Sequence, residues 1–290
     1  MKVSGFTFIR NAVLYDYPIT EAIRSILPLC DEVVVAVGNS DDKTRELIRS
    51  IGDPKIRIIE TLWDDSLREG GRVLAVETDK AFAAIAKDSD WAFYIQGDEV
   101  VHEKYHPVIR EAMEKYLNNK AVDGLLFHYL HFYGSYDFVG SSLKWYPYEI
   151  RVVRNNPSIY SYRDAQGFRI GNDQKLKVKP IDAYVYHYGW VKPPEAMQRK
   201  QESFQKLWHT DEWVEENVPK IKSFEYEKHI SRLKRFEGTH PKVMQQRIAT
   251  KNWKFDFDIS FNRTTTKDRL KHFLKKYLGI KLGYRNYRII

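Results

Sequence analysis

The chain has 290 residues, is 43% hydrophobic and carries a formal net charge of +8, enough apolar material for one large domain or for a domain with an extension. Its single cysteine, Cys30, excludes an internal disulfide and suits a reducing compartment. No run approaches 18 consecutive apolar residues, which argues against a membrane-spanning helix, and the first residues read as a strand rather than a secretory leader. Charge is unevenly placed: residues 191–290 hold 23 Lys+Arg against 12 Asp+Glu, and the rest holds 24 against 27. The basic segment leaves nucleic acid, an anionic membrane surface and an anionic substrate open as partners.

Val3 to Ile9 reads as a strand ending at the polar pair Arg10-Asn11, and the spacing of Ile19, Ala22, Ile23 and Ile26 predicts an amphipathic helix. Glu32 to Val37 is a nearly all-apolar second strand, as in a parallel sheet covered on both faces. It breaks at Gly38-Asn39-Ser40-Asp41-Asp42, before a helix from Lys43 to Ile51. Ile56 to Leu62 is the third strand, and a helix from Val73 to Ala86 leads to the fourth, Trp91 to Ile95. Four alternations of strand and helix predict an α/β fold with a Rossmann-like, mostly parallel central sheet flanked by helices.

The fourth strand runs through Gln96-Gly97 into the adjacent acids Asp98 and Glu99. Ligands of open α/β sheets bind at the carboxyl ends of strands. Carboxylates there suit a hard divalent cation, Mn²⁺ or Mg²⁺, bridging to a diphosphate; two acids capping a following helix is the competing reading. Tyr105 to Leu117 reads as a helix and Gly124 to His131 as a strand. Residues 132–190 are dense in Tyr, Trp, Gly and Arg, with short strands at Glu149–Val153, Lys175–Val178 and Ile181–His187. His187 also sits at a strand end and is either a third metal ligand or a core histidine. In Arg163-Asp164-Ala165-Gln166-Gly167, Asp164 is a candidate general base and Arg163 a candidate diphosphate ligand, against a plain solvated turn. Asp173 is a rival base. Arg10, Asn11, Asn39 and Asp41 are expected on the same sheet edge, where they suit a nucleotide's base and ribose or, equally, a metal-free, non-nucleotide ligand.

A soft boundary near residue 192 divides a catalytic domain, 1–191, from a mainly helical, basic extension, 192–290. Pro194 opens a helix to about Trp208. Thr266 to Leu278 is amphipathic, and Lys267 to Ile290 holds eight basic residues and one acid. This end either docks on the core with a solvated basic face or, over 266–290, lies on an anionic membrane; no motif that reads bases is present, so nucleic acid is not expected.

Together these stretches resemble family 2 glycosyltransferases of the GT-A fold over roughly residues 1–190. Ile9-Arg10-Asn11 is similar to the family's first strand end. Ser40, Asp42 and Thr44 are in register with its Asp-Asp-Gly-Ser-x-Asp-x-Thr turn, and Trp91 to Glu99 resembles the strand ending in Asp-x-Asp-Glu. Lys80 falls where such enzymes often carry Arg or Lys. Arg151-Val152-Val153-Arg154 resembles a related Arg-rich strand, and His187 lies where the fold often supplies a late metal ligand. Gln-x-Asp-Glu, Asp-Ala-Gln-Gly-Phe and His-Tyr-Gly-Trp together resemble one subgroup.

The resemblance implies a metal-dependent, inverting transferase that takes a nucleotide-diphospho-sugar donor and a hydroxyl acceptor on a glycan or lipid-linked glycan. It implies metal ligands at Asp98, Glu99 and His187, and donor contacts at Arg10, Asn11, Asn39, Asp41, Lys80, Gln96, Gly97 and Arg163. Cytoplasmic location, with peripheral contact at the inner face of the membrane, is expected. Gln96 departs from the first acid of the metal motif, Val37-Gly38 departs from the paired aspartates of the second strand, and the usual base motif is not recognisable. A degenerate binding module and a nucleotidyltransferase are the alternatives.

Overall fold

The computed structural model describes residues 1–67, 69–230, 232–260, 277 and 285–290. The expected helix over 266–278 lies outside the described residues except for Tyr277, and of the membrane-facing segment 266–290 only Tyr277 and residues 285–290 are described.

Four strands, β1 (Val3–Ile9), β2 (Glu32–Gly38), β3 (Ile56–Thr61) and β4 (Trp91–Tyr94), are connected through α1 (Ile19–Ile26), α2 (Thr44–Arg49) and α3 (Arg72–Ala83). They pair in parallel in the order β4-β1-β2-β3, with Phe6 opposite both Val34 and Tyr94. Strand alternation sorts their side chains onto two faces. Val33, Val35 and Val37 pack with Ile19, Ile23 and Ile26 of α1. Phe6, Val34, Ala36 and Tyr94 pack with Val73, Leu74 and Phe82 of α3. Both faces are thus covered, which is why β2 carries no polar residue from Val33 to Val37.

The second half builds on that sheet with antiparallel and parallel strands together. After β5 (Glu99–Val101) and α4 (His106–Lys115) come β6 (Gly124–Tyr133), β7 (Ser135–Gly140) and β8 (Tyr148–Arg154). β8 inserts between β4 and β6, antiparallel to both, and extends the sheet to the order β7-β6-β8-β4-β1-β2-β3. A small separate sheet follows, from β9 (Ile159–Tyr162), β10 (Gly167–Ile170) and β11 (Gln174–Lys175). β12 (Lys177–Trp190) then pairs parallel with β6 and antiparallel with β5. The sequence suggests two strands broken near Pro180; the structure has one, and a register shift between Pro180 and Tyr184 absorbs the proline. The α/β architecture expected from the sequence, a central sheet flanked by helices, is present.

Residues beyond 192 form α5 (Pro194–Gln205), α6 (Asp211–Asn217), β13 (Leu233–Arg235), α7 (Gln245–Ala249) and β14 (Arg288–Ile289). They are not helical alone. β13 pairs with β7 and β14 with β12, so both strands join the central sheet.

Glu99 does not cap a helix; it opens β5 and sits opposite His187 of β12. Its side chain is fully buried and takes both arms of Arg151, Nε to Oε2 at 2.8 Å and Nη2 to Oε1 at 2.7 Å. Tyr129 donates its hydroxyl to Oε1 at 2.5 Å, and the Gln96 backbone N–H donates to Oε2 at 3.1 Å. Arg151 lies between the rings of Tyr94 and Tyr129, 5.1 and 5.2 Å from their centroids. Breaking one side of a buried pair strands the other charge, so Arg151→Met should cost about 3–5 kcal/mol of stability. Urea unfolding measures it; a loss comparable to a surface substitution would contradict this role.

Candidate functional site

At the carboxyl ends of β1 and β4 lies a cavity of about 610 Å³. Arg10, Asn11, Asp41, Gln96, Gly97, Asp98, Asp164 and His187 all line it, so residues far apart in sequence are brought to one place. Asn39, Lys80, Glu99, Arg163 and Asp173 are not among its lining residues. Each of these has another setting. Asn39 accepts the Trp63 backbone N–H through Oδ1. Lys80 donates to Leu62 O and to Glu77. Glu99 is held by Arg151. Arg163 lies 5.1 Å from the Tyr162 ring centroid. Asp173 is largely exposed and pairs with Arg169 at 3.2 Å, which leaves Asp164 as the carboxyl of the expected pair that faces the cavity.

The loop after β2 is built as a lock for the loop after β1. Asn11 has a left-handed backbone, and it exchanges hydrogen bonds with Asp41, Nδ2 to Oδ2 at 3.3 Å and Asp41 N to Oδ1 at 2.7 Å. Ser40 Oγ accepts the Asn11 N–H, and Thr44 Oγ1 accepts that of Ala12 at 2.7 Å. Asp42 accepts from the Leu14 N–H and from Thr44. Ser40, Asp42 and Thr44 therefore shape the cavity rim through the backbone. Gly38 lies directly under Trp63: a Cβ there would meet the indole Nε1 at 2.3 Å. The indole thus covers the position where the family's acids stand, and Arg10 sits 5.5 Å from its ring.

Gln96, expected as a donor-sugar contact, behaves as a hydrogen-bond donor within the protein. Its Nε2 donates to Ala165 O at 3.1 Å and to Tyr94 Oη at 3.3 Å, tying the end of β4 to the turn that carries Asp164. An ionised carboxylate could not donate to the Ala165 carbonyl. That turn places Arg163 and Ala165 at positive φ. On its other side Gly71, at φ +69°, allows close approach: a Cβ there would fall 3.0 Å from Asp164 Cβ and 3.2 Å from the Trp208 ring. Burial pushes the Asp164 carboxyl above its ordinary value, against hydrogen bonds from its own and Gln166 N–H groups. A carboxyl so tuned is a better proton acceptor at neutral pH than a solvated one.

Asp98 is turned the opposite way from Glu99, into the cavity. Its Oδ2 accepts from Lys200 Nζ at 3.0 Å and lies 3.7 Å from His187 Nε2. Burial would raise the Asp98 carboxyl, but nearby positive charge, Lys200 foremost, holds it well below the usual carboxylate range. His187 and His131 are both pushed down by burial, His131 to about 3, so both rings are neutral at pH 7. Their tautomers follow from their partners. His131 Nε2–H must donate to Tyr146 O at 2.8 Å, so its Nδ1 accepts from His187 Nδ1–H at 3.2 Å. The lone pair of His187 Nε2 is then left on the Asp98 side. Gly189 keeps this corner open, because a Cβ there would lie 2.6 Å from both Asp98 Oδ2 and His187 Nε2.

This corner suits a cation, but the residues do not fit a resident divalent ion. Asp98 and His187 supply two donors, Glu99 is committed to Arg151, and Gln96 is committed to Ala165 O. Among the described residues no three carboxylate, imidazole or thiol groups converge. The Lys200 ammonium already stands against Asp98 and also donates to Gly189 O at 3.0 Å.

No family model matches the chain, and no curated protein matches it either. Solved structures do. S. aureus TarS residues 1–349 with UDP is 13% identical, at TM-score 0.42, covering 77% of this chain and 68% of that one. S. aureus TarS is 16% identical at TM-score 0.41, covering 70% of this chain and 39% of that one. Glucosyl-3-phosphoglycerate synthase from Mycobacterium tuberculosis, with Mn²⁺, UDP and phosphoglyceric acid, is 20% identical at TM-score 0.31, covering 45% and 43%. The chain thus spans less than half the length of two of these three. Likeness at this level carries no argument about chemistry, which rests on the site itself.

Several cavity residues carry no sequence signal for a site. Lys200 belongs to α5, where a helical lysine reads as a solvated cation. Trp63, Tyr146, Trp145, Trp190 and Trp208 line the cavity, yet an aromatic serves a core equally well. His131 is the exception: it lies near the end of β6 as His187 lies near the end of β12, and that parallel is visible in the sequence.

Behind the cavity, Glu149 of β8 is buried, and its Oε2 has no hydrogen-bond partner among the described residues. Burial pushes it up to about 8, although Arg151 pulls the other way. Between about 4.5, the ordinary value, and about 8, the folded chain keeps a proton that the unfolded chain has lost. Stability contributed by this group is therefore full below that window and falls as pH rises through it. Glu149→Gln should flatten the decline; urea midpoints at pH 5 and pH 8 that separate as widely in the variant as in the wild type would contradict it.

Proposed function

We propose that the chain is a GT-A glycosyltransferase that moves a sugar from a nucleotide-diphospho-sugar to a hydroxyl acceptor of a glycan or lipid-linked glycan. The observation that carries this reading is one cavity, at the carboxyl ends of β1 and β4, that combines two kinds of group. A charged corner, where the Lys200 ammonium stands beside Asp98, suits a diphosphate, and a separate half-buried carboxyl, Asp164, suits a hydroxyl. The order of the sequence motifs supports it independently. The nucleotide's base and ribose belong against Trp63, Arg10, Asn11 and Asp41, and aromatic faces such as Trp145 and Trp190 suit sugar rings.

In the mechanism that follows, Asp164 takes the proton of the acceptor hydroxyl. The oxygen attacks the anomeric carbon as the bond to the diphosphate breaks with its electron pair on the phosphate oxygen, where the charged corner receives it. A single displacement inverts the anomeric configuration. Asp98 positions the positive charge rather than touching the sugar. Gln96 holds the two halves of the site at fixed separation.

A nucleotide-sugar screen by thermal shift identifies the donor, since a ligand bound only by the native state raises its stability. With that donor, Asp164→Asn should lower the transfer rate by about 10²–10⁴-fold while leaving the donor's thermal shift nearly unchanged. Full transfer by the variant, or a product that retains the donor's configuration, would sink the mechanism. Binding of nucleotide sugars with no turnover by the wild type would instead favour a degenerate binding module.

A further inference from the structure

We infer that Lys200 supplies, as a built-in ammonium, the positive charge that faces the donor's diphosphate, so that this site works without a divalent ion. The inference rests on the transferase reading above and concerns how that same site meets its leaving group.

Geometry carries it. Lys200 Nζ is 3.0 Å from Asp98 Oδ2 and 3.0 Å from Gly189 O, and it lies 5.0 Å from the Tyr17 ring centroid. Carboxylate, carbonyl and aromatic face hold the ammonium in one place at the wall of the cavity, with only 12% of the side chain exposed. A flexible surface lysine would lose much rotamer entropy on meeting a phosphate; this one is already ordered.

The groups a divalent ion would need are also spoken for. Gln96 replaces an acid and is used as a donor, while Glu99 is neutralised by Arg151. Asp98, the remaining carboxylate of that stretch, is neutralised by Lys200. A divalent ion at Asp98 would sit beside a like charge in a poorly solvated corner. An ammonium is a point charge that binds phosphate without a coordination sphere, so this donor set suits it.

Inorganic pyrophosphate is the probe, because it tests the diphosphate site whatever the nucleotide. Calorimetry on the full chain in excess EDTA should show it binding to the wild type. Lys200→Met should weaken that binding at least tenfold, and Lys200→Arg should recover part of it. Thermal melting reports whether the variants fold. Should Lys200→Met not fold, electron paramagnetic resonance with Mn²⁺ decides: the wild type should show no tight site, and a tight site that Asp98→Asn removes overturns the inference. Pyrophosphate that binds only with Mn²⁺ or Mg²⁺ present, or does not bind at all, overturns the inference.

Sugar transfer separates this inference from the reading it rests on. Transfer that survives EDTA and is lost in Lys200→Met supports both. Transfer that requires Mn²⁺ and ignores Lys200→Met keeps the transferase and removes the role of Lys200. Lys200-dependent pyrophosphate binding with no turnover of any nucleotide sugar supports the ammonium site and sinks the transferase reading.

Discussion

The buried ion pair of Glu99 and Arg151 is the constraint from which the site's shape follows. It joins β5, which returns from the end of β4, to β8, which lies antiparallel beside β4. Glu99 also receives the Gln96 N–H, and Arg151 Nη1 donates to Gln166 O at 3.0 Å. The turn after β4 and the turn carrying Asp164 are thus anchored to the same pair of charges. Two buried ions cost much in desolvation, and only full hydrogen bonding and tight packing offset it. Here both carboxylate oxygens are engaged, and two tyrosine rings enclose the guanidinium.

That anchoring explains how two adjacent acids come to do different things. Asp98 still belongs to the turn and points into the cavity, whereas Glu99 begins a strand and points into the protein. The inward acid fixes the frame, and the outward acid holds Lys200 at the cavity wall. Arg151 gives its hydrogen bonds to Glu99 and to backbone carbonyls, and burial leaves Glu149 on the same strand holding its own proton.

The segment after residue 192 takes part in this arrangement. β13 and β14 extend the sheet, and α5 brings Lys200 against Asp98 from outside the Rossmann-like core. Lys192, just before α5, donates to Tyr15 O and Asp16 O in the loop after β1. The basic character of this segment is thus only partly a solvated face, since Lys192 is buried and Lys200 largely covered beside the site.

Much was legible in the sequence, for a physical reason. Strand alternation and apolar runs report burial directly, so the four parallel strands, the helices between them and the polar residues at the strands' carboxyl ends could be read in order. Arg10, Asn11, Asp98 and His187 were found because a strand end has only one place to be. Residues in turns were harder: Arg163 and Asp164 are neighbours, yet only Asp164 lines the cavity, since positive φ at Arg163 and Ala165 sends consecutive side chains apart. Lys80 and Asp173 pair locally instead, with Glu77 three residues before and Arg169 four residues before. Lys200 was out of reach, because what distinguishes a buried lysine from a solvated one is the neighbour across the fold. The sequence by itself determined which faces are apolar and hence the layered sheet; the tertiary structure alone decided which charges meet, because burial makes a long-range partner worth far more than any sequence neighbour.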